Sequence, residues 1–229
     1  MPDTPLIVTR RALKTPRAAA VAGIIFALLY GASLVLVYLS IPAYQVADST
    51  WLETNSGTVS LALNLIPYAG IAFLWFIGVI RDRLGDQEDR LFSTVFLGSG
   101  LLFLALTFVG AALAGGLLNT YTIESSTLIN SGVYAFSRAV VYQVINIYAI
   151  RMAGVFMISL GTIWIRTGVM HRTWGILTYA FALVLLLSIS YSLWVTLIFP
   201  GWVLVVSVYI LVRNPRDPPP SGGVNEMKT

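Results

Sequence analysis

The chain has no cysteine, a single histidine (His171) and few charged residues, which make up 10% of its 229 positions. Without cysteine there can be no disulfide, no thiolate nucleophile and no metal site built on thiolates. Its lysines are Lys14 and Lys228, so no lysine lies in an apolar segment where it could form a Schiff base with retinal. A soluble domain averages about 25% charged residues, and this composition departs from that class.

Long apolar runs take the place of the missing charge. Hydrophobic residues make up 57% of the chain, and its mean hydropathy is +0.82. Several runs reach about 20 residues, enough to cross a hydrocarbon core of about 30 Å. Backbone groups in lipid must bond to one another, which allows helices or a closed barrel. The runs are continuous rather than alternating in strands of about ten residues, so they predict an all-α polytopic membrane protein.

Six transmembrane helices are predicted, with a proline-initiated start at Thr15 and Pro16. Their approximate bounds are 17–40, 59–80, 91–114, 146–167, 173–189 and 192–212. The predicted domain organisation is a cytoplasmic N-terminal tail (1–15), one transmembrane domain (16–213) and a cytoplasmic C-terminal tail (214–229). The C-terminal tail is polar and rich in proline and glycine, so we expect disorder there. A partner-binding proline segment is the alternative.

The basic residues predict the orientation of these helices. Twelve of the 14 fall on one side of a six-span arrangement: Arg10, Arg11, Lys14, Arg17, Arg81, Arg83, Arg90, Arg166, Arg172, Arg213, Arg216 and Lys228. Basic loops stay in the cytoplasm, which predicts a bacterial plasma-membrane protein with both termini cytoplasmic. Arg138 and Arg151 remain on the other side.

The segment "RDRLGDQEDR" at 81–90 concentrates charge between two apolar runs. Arg81 and Arg83 suit the end of one helix, Gly85 a left-handed helix terminus, and Asp86 the start of the next helix. We interpret the segment as a tight turn. The alternative is a cytoplasmic docking surface for anionic lipid or a protein, formed by Arg81, Arg83 and Arg90.

The longer stretch "RDRLGDQEDRLFSTVFLGSG", residues 81–100, resembles a segment from a group of uncharacterised bacterial integral membrane proteins. The resemblance extends over most of the predicted six-span core. It implies a six-span membrane fold. It implies no named activity, so no functional residues follow from it.

A polar stripe precedes the predicted fourth span. Tyr134, Arg138, Tyr142 and Asn146 recur every four residues, on one face of a helix. This pattern predicts either an extra outer amphipathic helix or a long extension of the fourth helix. The stripe could line a pocket or lie in the headgroup layer. Arg138 and the acidic Glu124 form a second candidate site.

Arg151 lies further along the same segment. In a continuous helix it is turned about 220° from Arg138, so the two arginines would share a ligand only if the helix breaks. An arginine at the membrane centre costs about 2.5–3.5 kcal/mol, which favours a functional interpretation. A buried ion pair or anion site is one interpretation of Arg151, and an interfacial anchor is the other.

Two prolines at comparable depth, Pro67 and Pro200, would each free a helix carbonyl. We predict a polar cavity in the outer half of the bundle with Arg151 near its wall. Its candidate residues are Arg151, Asn64, Pro67, Tyr68, Thr107, Tyr142, Asn146 and Thr196. Simple proline kinks are the alternative.

Small residues are spaced for close helix packing. Gly23 and Ala27 form one such pair, and the run from Ala111 to Gly116 contains two more. Packing inside the bundle is the first interpretation of these pairs, and a dimer face is the second.

No catalytic constellation is apparent. His171 falls in a predicted cytoplasmic loop, and Ser99 in "LGSG" has no membrane-embedded histidine to activate it. We expect no catalytic residue, cofactor or metal.

The leading functional hypothesis is a non-enzymatic structural or accessory subunit that packs against lipid or another membrane protein. The alternative is a small-solute or lipid transporter that uses the outer cavity. The expected partners are membrane lipid, another membrane protein or a second copy of the chain, with no role for nucleic acid.

Overall fold

The computed structural model describes residues 15–41, 51–84, 90–123, 132–168, 172–188 and 193–212. The regular structure in these ranges is all helical, which confirms the all-α class. The helices are α1 (Thr15–Ser40), α2 (Trp51–Thr54), α3 (Ser56–Leu84), α4 (Arg90–Ile123), α5 (Val133–Thr167), α6 (Arg172–Leu187) and α7 (Leu193–Val212). The predicted tails, the turn at 85–89, Glu124 and His171 lie almost wholly outside the described residues.

Five helices in the described part of the chain are long and apolar enough to cross a membrane: α1, α3, α4, α5 and α7. They are consistent with a multi-pass membrane protein. The helix at the predicted fifth span, α6, is apolar but has only 16 residues. At 1.5 Å per residue it is about 24 Å long, shorter than a typical span.

Helical residues run without interruption through α5. An α-helical segment, Val133–Tyr142, leads into a π-helical segment, Gln143–Ala149, and then into a second α-helical segment, Ile150–Thr167. The polar stripe is therefore continuous with the fourth long helix. The helix ends at Gly168, whose left-handed φ of 67° suits a residue without a side chain.

The core of the bundle is aromatic. Each long helix contributes at least one buried phenylalanine to it, and one from each helix is Phe26, Phe73, Phe103, Phe156 and Phe199. Ring centroids lie 4.6 Å apart for Phe26 and Phe73, and 4.7 Å apart for Phe103 and Phe199. Aromatic pairs of this kind stabilise by about 0.5–1.5 kcal/mol beyond their buried area. We call these five residues the aromatic core.

Hydrogen bonds between side chains and neighbouring helices add specificity. The Ser33 hydroxyl of α1 donates to the Ala62 carbonyl of α3 at 2.8 Å. The Trp202 indole of α7 donates to the Thr178 hydroxyl of α6 at 3.0 Å. In an apolar environment such bonds fix the relative rotation of the helices, because the groups have no water to turn to.

The small-residue pairs differ in their surroundings. Gly23 and Ala27 lie inside the bundle, and a Cβ placed on Gly23 would overlap the Ser207 hydroxyl of α7. A Cβ on Gly115 or Gly116 would meet no atom of the described residues within 4 Å. The first pair therefore serves packing within the bundle, whereas the second faces open space.

Candidate ligand-binding cavity

A cavity of about 150 Å³ lies between α1, α3, α4 and α5, at the end of the bundle that carries α2. The long helices contribute residues near that end, and α7 adds Thr196 close to its start. An engineered apolar cavity of about this size in another protein admits a benzene molecule. The cavity is therefore large enough to hold part of a small organic ligand.

One wall of the cavity is polar and comes from α5. Arg138, Tyr142 and Asn146 line it, and all three are half-buried. Their spacing of four residues keeps them on one face. Asn146 lies in the π-helical segment Gln143–Ala149, a type of distortion that is frequent at functional sites. Of the two interpretations of the polar stripe, the structure places these three residues on a pocket.

The opposite wall comes from α1 and α3 and is mostly apolar. Its side chains include Leu34 and Val37 of α1 and Leu63 and Ile66 of α3. On α1 the lining extends from Tyr30 to Ile41, which corresponds to about 16 Å at 1.5 Å per residue. The cavity therefore contacts about three turns of α1.

The cavity ends on the aromatic core. Tyr30 lines its floor, stacks on Phe26 at 5.3 Å and meets the edge of Phe103 at 5.7 Å. A void of about 10 Å³ beyond it shares Tyr30 and Thr196, and such a void holds about one water molecule. Packed rings thus separate the cavity from the other end of the bundle, so the cavity lies in one half of the bundle only.

The short helix α2 packs beside the rim of the cavity. The Trp51 indole donates a hydrogen bond of 2.9 Å to the Tyr134 hydroxyl of α5. Both rings are buried with Leu117 and Leu118 of α4, in a cluster that also contains the cavity residue Val59. Tyr134, the first residue of the polar stripe, therefore ties α2 to α5.

The structure brings together five of the candidate residues that the sequence suggests. Thr107, Arg138, Tyr142, Asn146 and Thr196 all line the cavity. They come from three different helices. Thr107 also donates a hydrogen bond of 2.8 Å to the Phe103 carbonyl, one turn earlier in α4.

Three candidates on α3 are not brought into the cavity, which corrects the predicted lining. Asn64, Pro67 and Tyr68 are exposed on the outside of the bundle, Tyr68 by 65%. The face of α3 that reaches the cavity carries Val59, Leu63 and Ile66, at spacings of four and three residues. Asn64, Pro67 and Tyr68 lie at the same level along α3 as the cavity residues, but on a different face of the helix.

Arg151 is also absent from the cavity lining. It is half-buried, and its guanidinium donates to the Ile147 carbonyl at 3.0 Å. Within the described residues no acidic side chain pairs with it. The cation on the cavity wall is therefore Arg138 rather than Arg151, and the suggested partner Glu124 lies outside the described residues.

The cytoplasmic docking candidates lie at the opposite end of the bundle. Arg81 is exposed near the end of α3, while Arg83 and Arg90 lie in the terminal turns of α3 and α4. Arg166 of α5 stacks over the Phe92 ring at the same end, with its guanidinium carbon 4.5 Å from the ring centroid. The cavity is remote from this end of the bundle.

Sequence reasoning missed the contribution of α1. Tyr30, Ser33 and Tyr38 line the cavity from that helix. Their spacing of three and five residues places Tyr30 and Ser33 on one face, with Tyr38 near it. Polar residues repeated on one side of an otherwise apolar span were the signal that could have identified them.

Among the described residues no three His, Asp or Glu side chains cluster in a way that could hold a metal ion. No family model, curated protein or solved structure matches this chain. The geometry of the cavity is therefore the main guide to function.

Proposed function

We propose that the protein is a bacterial plasma-membrane carrier that binds a small solute or a lipid in this cavity. The single observation that carries this assignment is the cavity itself, in which the polar stripe of α5 faces the apolar wall of α1 and α3. Ligand sites are mostly apolar clefts with a few convergent polar groups. A helix that only anchored the headgroup layer would have no reason to turn Arg138 and Asn146 inward.

The proposed topology has six spans, as the resemblance of the 81–100 segment implies, and both termini in the cytoplasm, as the basic residues predict. The position of Thr196 supports six spans. It lies near the start of α7 and lines the same cavity as Ile41, which follows α1. The short helix α6 packs along α5 and leads the chain back towards the cavity end. With basic residues in the cytoplasm, the cavity lies in the outer half.

Binding from the outer side is the first step of the proposed transport. The aromatic core closes the inner end of the cavity, so delivery to the cytoplasmic side requires those rings to separate. Carriers of this kind alternate access around a fixed site. In this proposal the structure corresponds to the outward-facing state of such a cycle.

Native mass spectrometry on protein gently extracted from its own membrane tests this function. We expect a bound small molecule or lipid of discrete mass, which is lost in Arg138→Leu and retained in Arg151→Leu. Both substitutions remove one arginine from α5, so the second controls for loss of charge. A bare protein mass, or equal loss from both variants, would contradict a site at Arg138.

The second candidate function is a non-enzymatic accessory subunit. The open surface at Gly115 and Gly116 favours it, because small residues facing outward allow another helix to approach closely. The same mass spectra distinguish the two functions. A mass set by a second polypeptide would support the accessory role, and a mass set by a small molecule would support the carrier.

A further inference from the structure

We infer that the ligand is an anionic amphiphile with a single alkyl chain, whose carboxylate or phosphate head lies at Arg138 and whose chain lies along α1 and α3. This inference rests on the proposed function, because it names the class of molecule that the same cavity takes.

The charge of the ligand follows from the lining. Arg138 is the one charged side chain among the described residues that line the cavity, and none of those residues is acidic. A guanidinium is permanently cationic and matches carboxylate and phosphate geometry. Arg138 also makes a contact within the protein, but its five N–H donors can serve that contact and a ligand together.

The size of the cavity indicates one alkyl chain. At about 150 Å³ the cavity is comparable to one that holds a benzene molecule, so it takes one short chain or part of a longer one. A chain that lies lengthwise would contact Leu34, Val37 and Ile66. A lipid with two chains or a fused ring system needs a wider space than this.

The apolar wall argues against a sugar or another fully polar solute. Such a ligand needs hydrogen-bond partners on every side. On the α1 side Ser33 donates its hydroxyl proton to the Ala62 carbonyl at 2.8 Å. The neighbouring Leu34, Val37 and Leu63 side chains offer no polar group at all.

The orientation of the ligand follows from the order of residues on α5. Arg138 lies nearer the rim, and Asn146 lies about two turns deeper. An anionic head at Arg138 stays close to the aqueous side. The far end of the chain then reaches Tyr30 and the aromatic core, where an alkyl group finds apolar contacts.

A matched set of probes tests the charge on the wild-type protein in nanodiscs of phosphatidylcholine. Dodecanoate, dodecyl phosphate, dodecanol and dodecyltrimethylammonium share one chain and differ only in the head. Native mass spectrometry measures the fraction that carries one probe. We expect the two anions to bind about tenfold or more tightly than the alcohol and the cation. The comparison of carboxylate with phosphate shows which head the site prefers.

Two pairs of variants locate the binding. Arg138→Leu should lower dodecanoate affinity about tenfold and leave dodecanol binding unchanged, whereas Arg151→Leu should alter neither. Val37→Phe fills the cavity and should abolish binding of every probe. Leu39→Phe adds similar bulk at a position that is 74% exposed on the same helix, and it should have no effect. Circular dichroism verifies that each variant is folded, and the probe comparison on wild-type protein requires no variant.

The outcomes separate this inference from the proposed function. If dodecanol binds as tightly as dodecanoate and Val37→Phe blocks both, the anionic class is wrong and the cavity is still a binding site. The class also fails if no probe binds after the endogenous ligand has been removed and that ligand still rebinds. If Val37→Phe changes neither probe binding nor the endogenous ligand, both the class and the proposed function fail.

Discussion

At the scale of single residues, Arg138 and Arg151 show how position on a helix separates two like side chains. Both lie on α5 and both are half-buried. Arg138 lines the cavity, whereas Arg151 turns back to the Ile147 carbonyl of its own helix. A guanidinium that satisfies the backbone in this way can remain near the membrane interface without a counter-ion. The two arginines therefore differ in the direction in which their side chains point from α5, and not only in their position along it.

Gly23 provides a test of packing at the same scale. A Cβ at this position would overlap the Ser207 hydroxyl and lie 2.7 Å from Phe76 Cδ2. We expect Gly23→Val to destabilise the protein by about 1–3 kcal/mol, because the tight crossing of α1 and α7 must open. Unfolding in mixed detergent micelles measures the change.

Gly31 on the same helix supplies the control for Gly23. No described atom lies within 4 Å of a Cβ placed there. Gly31→Ala should leave stability unchanged or raise it by up to about 1 kcal/mol, since alanine favours the helix. Equal losses from both substitutions would show that helix α1 does not pack on α7 as described.

At the scale of helices, the sequence predicts which segments are helical, and roughly where they begin and end, better than it predicts which face of each helix points into the bundle. Apolar runs of sufficient length identify α1, α3, α4 and α7 because the bilayer fixes the length of a span. The inward face of a helix is harder to predict, because lipid and the protein core are both apolar. The hydropathy of the two sides of α3 therefore differs little. Asn64 and Tyr68 therefore looked equivalent to Leu63 and Ile66 in depth, and only packing shows which pair is inside.

Helix α4 extends beyond its predicted end for a related reason. The prediction stops near 114, where small residues begin, whereas the helix continues to Ile123. Leu117 and Leu118 are buried there against Trp51 and Tyr134. These contacts join segments that are far apart in sequence, and a local pattern cannot reveal them. The polar stripe of α5 was visible because its residues recur at the helical period.

The π-helical segment of α5 provides the prediction at this scale. Gln143–Ala149 holds seven residues in the wider geometry, and Gln143 is exposed. Deletion of Gln143 should restore α-helical pairing. Seven π-helical residues and six α-helical residues turn by nearly the same total angle, because the π-helix is the wider of the two. Arg138 should therefore stay on the cavity wall.

Dodecanoate binding measured as above reports the consequence. We expect the deletion to bind within a few-fold of wild type, with helical content retained by circular dichroism. Gln143→Ala keeps the length of the segment and should also bind like wild type. A loss of binding by the deletion variant as large as that of Arg138→Leu would mean that the π-helical geometry itself is required for the site.

At the scale of the whole molecule, the orientation of the helices decides which side of the membrane the cavity faces, and the number of crossings decides on which side each terminus lies. Helix length alone identifies five membrane-spanning helices and does not include α6 among them. Packing supplies a second measure, because Thr196 after α6 and Tyr38 before α2 line one cavity. In the proposed six-span topology, this helix of 16 residues joins the two ends of the bundle across the bilayer, and thinning of the bilayer would accommodate such a length.

Single-cysteine labelling tests this topology, because the chain has no cysteine of its own. In intact cells a membrane-impermeant maleimide should label Ser56→Cys and Ser188→Cys, and it should label Thr167→Cys only after the cells are opened. Thr167 and Ser188 flank α6, so opposite accessibility means that α6 crosses the membrane. If Ser188→Cys and Thr167→Cys instead label from the same side, α6 does not cross. The chain would then have five spans with its ends on opposite sides. Labelling of Ser56→Cys only in opened cells would place the cavity on the cytoplasmic side, where a ligand would enter from the cell interior.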